Sequence, residues 1–98
     1  MANVRSGREV DAALRKKGFL RETDGDHVHY CLLSSDGRKS TVKTQISHGM
    51  SGSAISAGLI SKMARQLRLT KSQFLDLIDC SLSGDDYRII LRNKGFAV

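Results

Sequence analysis

Ninety-eight residues are enough for one compact unit that buries roughly 60–70% of its unfolded surface, so no disulfide or metal staple is required. Hydrophobic residues are 40% and charged residues 27%, an ordinary balance for a globular chain. No apolar run nears the roughly 18–20 residues of a membrane helix. The first nine residues hold no apolar leader, and Cys31 and Cys80 are the only cysteines. A collagen, a coiled coil, a disulfide scaffold and a membrane span are thereby excluded, and a cytoplasmic place with reduced, core or half-buried thiols is expected.

Sixteen Lys and Arg against ten Asp and Glu give a net charge of +6, which favours a polyanionic partner. The excess is even: nine basic and six acidic residues in 1–49, seven and four in 50–98. There is no basic tail, so folding must assemble any binding surface. Five aromatic residues and no Trp argue against a base-stacking platform on a sheet.

Residues 6–17 read as a helix. Ser6 and Glu9 form a capping box, and Val10, Ala13, Leu14 and Lys17 share a face. Gly18 suits the left-handed residue after the helix, with Phe19 packing back. Phe19 to Thr23 is a first strand and Asp24-Gly25-Asp26 a turn. Over His27 to Leu33 the residues alternate: Val28, Tyr30 and Leu32 point one way, His27, His29, Cys31 and Leu33 the other. Ser34-Ser35-Asp36-Gly37 is a hairpin turn, and Arg38 to Ile46, rich in Thr, Val and Ile, a third strand.

Residues 47–53, Gly/Ser-rich and without periodicity, read as a loop or hinge. Ile55, Leu59, Ile60, Met63, Ala64 and Leu67 then repeat at helical spacing. Thr70 and Gln73 open another helix with Phe74, Leu77 and Ile78 inward, and Ser83 with Asp86 opens a third that ends at Gly95. Capping boxes are expected on both tail helices. The pattern Leu-Arg-x-Lys-Gly-Phe at 14–19 recurs at 91–96, two helix ends with one capping solution. The expected fold is α+β, an α-β-β-β-α order with a three-stranded antiparallel sheet and extra C-terminal helices in one domain, the broad plan of a double-stranded-RNA-binding domain.

Histidine works as acid or base near neutrality, so His27, His29 and His48 are the first candidates for chemistry. His27 follows a glycine turn at a strand start, where its backbone is fixed and its ring exposed; the competing reading is a polar residue facing water. A metal site from His27, His29 and Cys31, completed by His48 or Cys80, is disfavoured. Strand geometry sets His27 and Cys31 about 13 Å apart at Cα. The stretch from Met63 to Phe74 has a helix-turn-helix look, but Asp76 and Asp79 face outward on its second helix and would repel phosphate.

The helix ending in Lys17-Gly18-Phe19, the turn Gly25-Asp26-His27 with a second histidine two residues on, the Asp36-Gly37 hairpin, the strand leading to Ser47-His48-Gly49 and the helix beyond it together resemble the HicA family of toxins. The match covers about residues 6–67, and 70–98 stand as a helical extension. The resemblance implies a double-stranded-RNA-binding-like fold, metal-independent cleavage of mRNA, no cofactor, and neutralisation by a HicB-type antitoxin. It assigns the catalytic role to His27, with His29 and His48 secondary. The family has Ser or Thr where Asp26 stands here. Arg38, Lys39 and Lys43, with Lys16 and Lys17, are the expected RNA-binding cations. The rival expectations are a non-catalytic RNA-binding domain and a helix-turn-helix regulator.

Overall fold

A computed structural model of the chain describes residues 5–47 and 54–98. In chain order the elements are β1 (Arg5–Ser6), α1 (Gly7–Lys16), β2 (Phe19–Asp24), β3 (His27–Leu33), β4 (Lys39–Ser47), β5 (Ala54–Ile55), α2 (Ala57–Gln66), α3 (Lys71–Ile78) and α4 (Gly84–Asn93). Strands β2, β3 and β4 form an antiparallel sheet in that order, so β3 is central and β2 and β4 are its edges. The fold is α+β, with a three-stranded sheet and four helices. None of the described helices is long and apolar enough to cross a membrane.

The local signals work as their chemistry requires. Ser6 Oγ accepts from the Glu9 N–H and the Glu9 carboxylate accepts from the Ser6 N–H, both at 3.2 Å, satisfying two free donors of α1. Thr70 and Gln73 make the same reciprocal pair at α3, at 3.1 and 3.0 Å. The cap of α4 differs from expectation: Ser83 Oγ accepts from the Asp86 N–H at 3.1 Å, but among the described residues the return bond is not made. The Asp86 side chain is one methylene shorter than the Glu or Gln a box uses. Gly18 and Gly95 follow α1 and α4 at φ of 99° and 93°, a region costly for residues with a Cβ. α2 and α3 reach the same geometry without glycine: Arg68 and Cys80 both stand at φ 65°. Cys80 is therefore an exposed terminator of α3, not the core or half-buried thiol expected; Cys31 is buried.

One pairing escaped the sequence pattern entirely. Arg5–Ser6 runs antiparallel to Ala54–Ile55 in a two-stranded ribbon, tying the start of the chain to the entry of α2. Arg5 also grips Asp79 at the end of α3, with Nε to Oδ1 at 2.9 Å and Nη2 to Oδ2 at 2.6 Å. That hydrogen-bonded arginine holds the Asp79 carboxyl below the usual carboxylate range.

The core lies on one side of the sheet. Val28, Tyr30 and Leu32 of β3 are withdrawn from water together with Val10 and Leu14 of α1 and Ile60 and Met63 of α2. Phe74 and Leu77 of α3 and Tyr87 and Leu91 of α4 belong to the same cluster. The tail beyond Leu69 thus contributes to the only sizeable apolar interior of the described residues. Tyr87 stacks on Phe19 of β2, with ring centroids 6.1 Å apart and planes 16° apart, and its hydroxyl donates to the Leu67 carbonyl at 2.8 Å.

Polar groups at the border of this core are largely matched, with Arg88 Nη1 of α4 buried without a hydrogen-bond partner among the described residues. Asp11 of α1 accepts from the Tyr30 hydroxyl at 2.7 Å and pairs with Arg21 Nε at 3.0 Å and Arg15 Nη1 at 3.5 Å. Thr44, buried on β4, donates its hydroxyl to Gln66 Oε1 of α2 at 2.6 Å. Helices α1 and α2 are thereby pinned to opposite edges of the sheet.

The Tyr87→Phe variant keeps the ring stack but leaves the Leu67 carbonyl unpaired, and a buried unpaired acceptor costs about 1–3 kcal/mol. Thermal denaturation should show a Tm lower by several degrees, since about 1 kcal/mol moves a domain of this size by ~4–8 °C. Chain termination after Leu69 removes Phe74, Tyr87 and Leu91 from the core and should abolish cooperative melting; an unchanged transition would show the tail to be dispensable. Both phenols are pushed well above the ordinary tyrosine value, first by burial, and at Tyr30 also by its bond to the Asp11 carboxylate. The unfolded chain therefore releases these protons first, so stability falls as pH rises above roughly 10. Absorbance at 295 nm should report tyrosinate only as the fold is lost; reversible ionisation of folded protein near pH 10 would contradict this.

Candidate functional site

The face of the sheet away from the helices carries the histidines. The pairing register places Asp24, His27 and Ser47 in one cross-strand row, Glu22, His29 and Gln45 in the next, and Leu20, Cys31 and Lys43 in a third. Residues opposite one another on paired strands share a face, so these rows form one surface. The loop Gly25-Asp26 joins β2 to β3 between the paired Asp24 and His27. Gly25 has φ 59°, which is what a two-residue hairpin needs at its first position. Asp26 lies in this exposed turn and not in the strand, so the departure at this position falls outside the sheet surface.

His27 is exposed at the strand start and His29 is half-buried in its middle. Their ring centroids are 6.3 Å apart, with the planes tilted by 43°. His29 Nε2 stands 4.0 Å from Asp24 Oδ2. Two grooves meet at His29. One, of about 520 Å³, runs toward β2 and is lined by Glu22, Asp24, Cys31, Lys39 and Lys43. The other, of about 530 Å³, crosses β4 to the end of α2 and is lined by Thr41, Lys43, Gln45, Arg65 and Arg68. The Cys31 thiol faces the first groove but is buried and donates to the Ser40 carbonyl at 3.3 Å. An irregularity in the β3–β4 pairing between Cys31 and Leu33 brings that carbonyl close.

The expected RNA-binding cations do not form one surface. Lys43 is on the histidine face and lines both grooves. Lys39 is 2.5 Å from Glu22 Oε1, a hydrogen bond that raises the lysine above its ordinary value. Arg38 lies in the β3–β4 hairpin 3.7 Å from Asp36. The Asp36 carboxylate also accepts from Ser34 Oγ and from the Arg38 N–H, and is held below its ordinary range, first by the serine. Lys16 and Lys17 end α1, whose buried Val10, Ala13 and Leu14 lie under the opposite side of the sheet. Lys17 packs against Gly84 of α4, and Lys16 shares a shallow depression with Ile78 of α3 and with Cys80 just beyond it. Those two lysines belong to the helical layer and are separated from the histidines by the sheet.

Arg65 and Arg68 were missed as site residues. Their stretch of sequence looked like the turn of a helix-turn-helix, and only the packing of α2 beside β4 brings them to the histidine face. α3, the second helix of that reading, buries Phe74, Leu77 and Ile78 and exposes Asp76 and Asp79, the latter held by Arg5. His48, with the remainder of 48–53, lies outside the described residues. Among the described residues no three His, Cys, Asp or Glu side chains converge in the way a metal ion needs. Comparison with protein-family models, with curated proteins and with solved structures found no match to this chain.

Proposed function

We propose that the chain is a small metal-independent endoribonuclease of the HicA kind, on a double-stranded-RNA-binding-like plan, and that an antitoxin of the HicB kind silences it. The observation that carries the reading is the pair of imidazoles, His27 and His29, 6.3 Å apart on an open sheet face beside Lys43. Hydrogen bonds of ~2.6–3.2 Å from two such rings can span both ends of one phosphodiester. A neutral imidazole takes the proton of the ribose 2′-hydroxyl as the 2′-oxygen bonds to phosphorus. A protonated imidazole delivers a proton to the departing 5′-oxygen as its bond to phosphorus breaks. The products are a 2′,3′-cyclic phosphate and a 5′-hydroxyl. Lys43 offsets charge on the phosphoryl oxygens, and this electrostatic stabilisation adds to the proton transfers.

His27 keeps the leading role that the sequence resemblance gives it. The half-buried position of His29, where two grooves meet, makes it the second partner of the pair and not a bystander. Each ring sits at the surface of the sheet, so its removal leaves the Val28, Tyr30 and Leu32 core in place.

The test is cleavage of a single-stranded RNA by purified protein in EDTA. His27→Ala should lose about 10²–10⁴ in rate while melting normally, as expected for loss of a general acid or base, and His29→Ala should fall in the same range. Wild-type rates in a well-folded His27→Ala protein, or activity that vanishes in EDTA and returns with Zn²⁺ or Mn²⁺, would overturn the reading. RNA binding without any cleavage would favour a non-catalytic RNA-binding module.

A further inference from the structure

We propose that the groove between the free edge of β4 and the end of α2, lined by Lys43, Arg65 and Arg68, holds the phosphodiester backbone of a single RNA strand and leads it to His29 and His27. The proposal rests on the reading above for its destination and shares Lys43 and His29 with it, while Arg65 and Arg68 are its own. The groove of about 530 Å³ has three cationic side chains and His29 on its walls and no carboxylate among its lining residues. The neighbouring groove is lined by Glu22 and Asp24, and Glu22 neutralises Lys39 there. A polyanion entering from solvent therefore meets net positive charge on the α2 side and mixed charge on the β2 side.

The floor of the groove is anchored. Thr44 donates to Gln66 at 2.6 Å, which fixes the last turn of α2 against β4. Thr41 and Gln45 on β4 add polar side chains between the cations, suited to phosphate and ribose oxygens. With few aromatics in the chain, recognition here falls to charge and hydrogen bonds rather than to base stacking.

Arg68 adds an independent observation. It takes the left-handed residue after α2 at φ 65°, as Cys80 does after α3, where α1 and α4 use glycine. A side chain at that position is strained relative to glycine. Its guanidinium carbon is 5.4 Å from the centre of the Phe96 ring, so the last residues of the chain hold the cation at the groove rim. The carbonyl of Arg68 accepts from Lys94 Nζ at 2.6 Å and its N–H donates to the Arg65 carbonyl at 3.1 Å, so its backbone ends α2 while its side chain takes no part in the cap. Arg65, in the last turn of α2, also complements the helix dipole, which accounts for one cation there but not for three around one groove.

The experiment measures binding of a fluorescein-labelled, single-stranded 2′-O-methyl RNA, which lacks the attacking hydroxyl and cannot be cut, across a salt series. Arg65→Ala/Arg68→Ala should weaken binding at least tenfold and reduce the salt slope by about 0.7 for each phosphate no longer neutralised. Arg38→Ala/Lys39→Ala and Lys16→Ala/Lys17→Ala should stay within about twofold of wild type. Arg68→Gly relieves the left-handed strain, so its Tm should hold or rise while its binding weakens. Unchanged affinity and slope in Arg65→Ala/Arg68→Ala would overturn the groove assignment even if RNA cleavage by the wild type is confirmed. So would an Arg68→Gly protein that loses Tm and binding together, or a wild type that does not bind the oligonucleotide. Conversely, groove-dependent binding with no cleavage of the matching ribo-oligonucleotide would sustain this inference while overturning the endoribonuclease reading.

Discussion

Val28, Tyr30 and Leu32 are buried beneath the helices, and because side chains along a strand alternate, that burial turns His27 and His29 to the opposite face. A slip of one residue in the pairing would put the imidazoles in the core and the apolar residues in water, so the hydrophobic energy of the sheet also sets the position of the candidate chemistry. Central placement of β3 strengthens this constraint, since both of its neighbours hold the register. The two-residue Gly25-Asp26 turn fixes it from one end and the bonded Ser34–Arg38 loop from the other.

Polar residues in the helical layer specify how the helices sit on that sheet. Asp11 draws in Tyr30 and Arg21 from two strands, and Gln66 takes the Thr44 hydroxyl from the third. Apolar packing alone tolerates small rotations of a helix over a sheet. A buried hydroxyl that must find its acceptor does not, because leaving it unpaired is costly. The end of α2 is therefore held beside β4 by a geometric requirement, and Arg65 and Arg68 inherit their location from it.

The parts legible in the sequence are those set by neighbours in the chain. The Ser6–Glu9 and Thr70–Gln73 boxes, the two hairpins, the glycine ends of α1 and α4 and the alternation of β3 each depend on a few adjacent residues. The β1–β5 ribbon joins two-residue strands nearly fifty positions apart, too short to show a period and too distant to share a turn. The grip of Arg5 on Asp79 likewise depends on tertiary placement. For the candidate site, the histidine face was readable because periodicity fixes it. Its cations were not: Lys16 and Lys17 end on the far side of the sheet, Arg38 sits by Asp36 in a hairpin, and Lys39 reaches the histidine face but is paired with Glu22. Exposed Cys80 shows the same limit, since its place after α3 is decided by where that helix stops.

A net charge of +6 spread evenly along the chain says little about where a polyanion would bind, because folding pairs some cations and leaves others clustered. Pairing removes Lys39 through Glu22, Arg38 through Asp36, and Arg21 with Arg15 through Asp11. Lys43, Arg65 and Arg68 remain together around one groove with no carboxylate in its wall. Like charges gathered in this way repel one another, and Arg68 adds backbone strain that a glycine would relieve. Cys80 carries the same backbone strain elsewhere, so the clustered charge is what sets this groove apart, and a bound phosphodiester would offset that repulsion directly. The unpaired cations therefore gather on the groove that reaches His29, which is where a functional constraint would be felt.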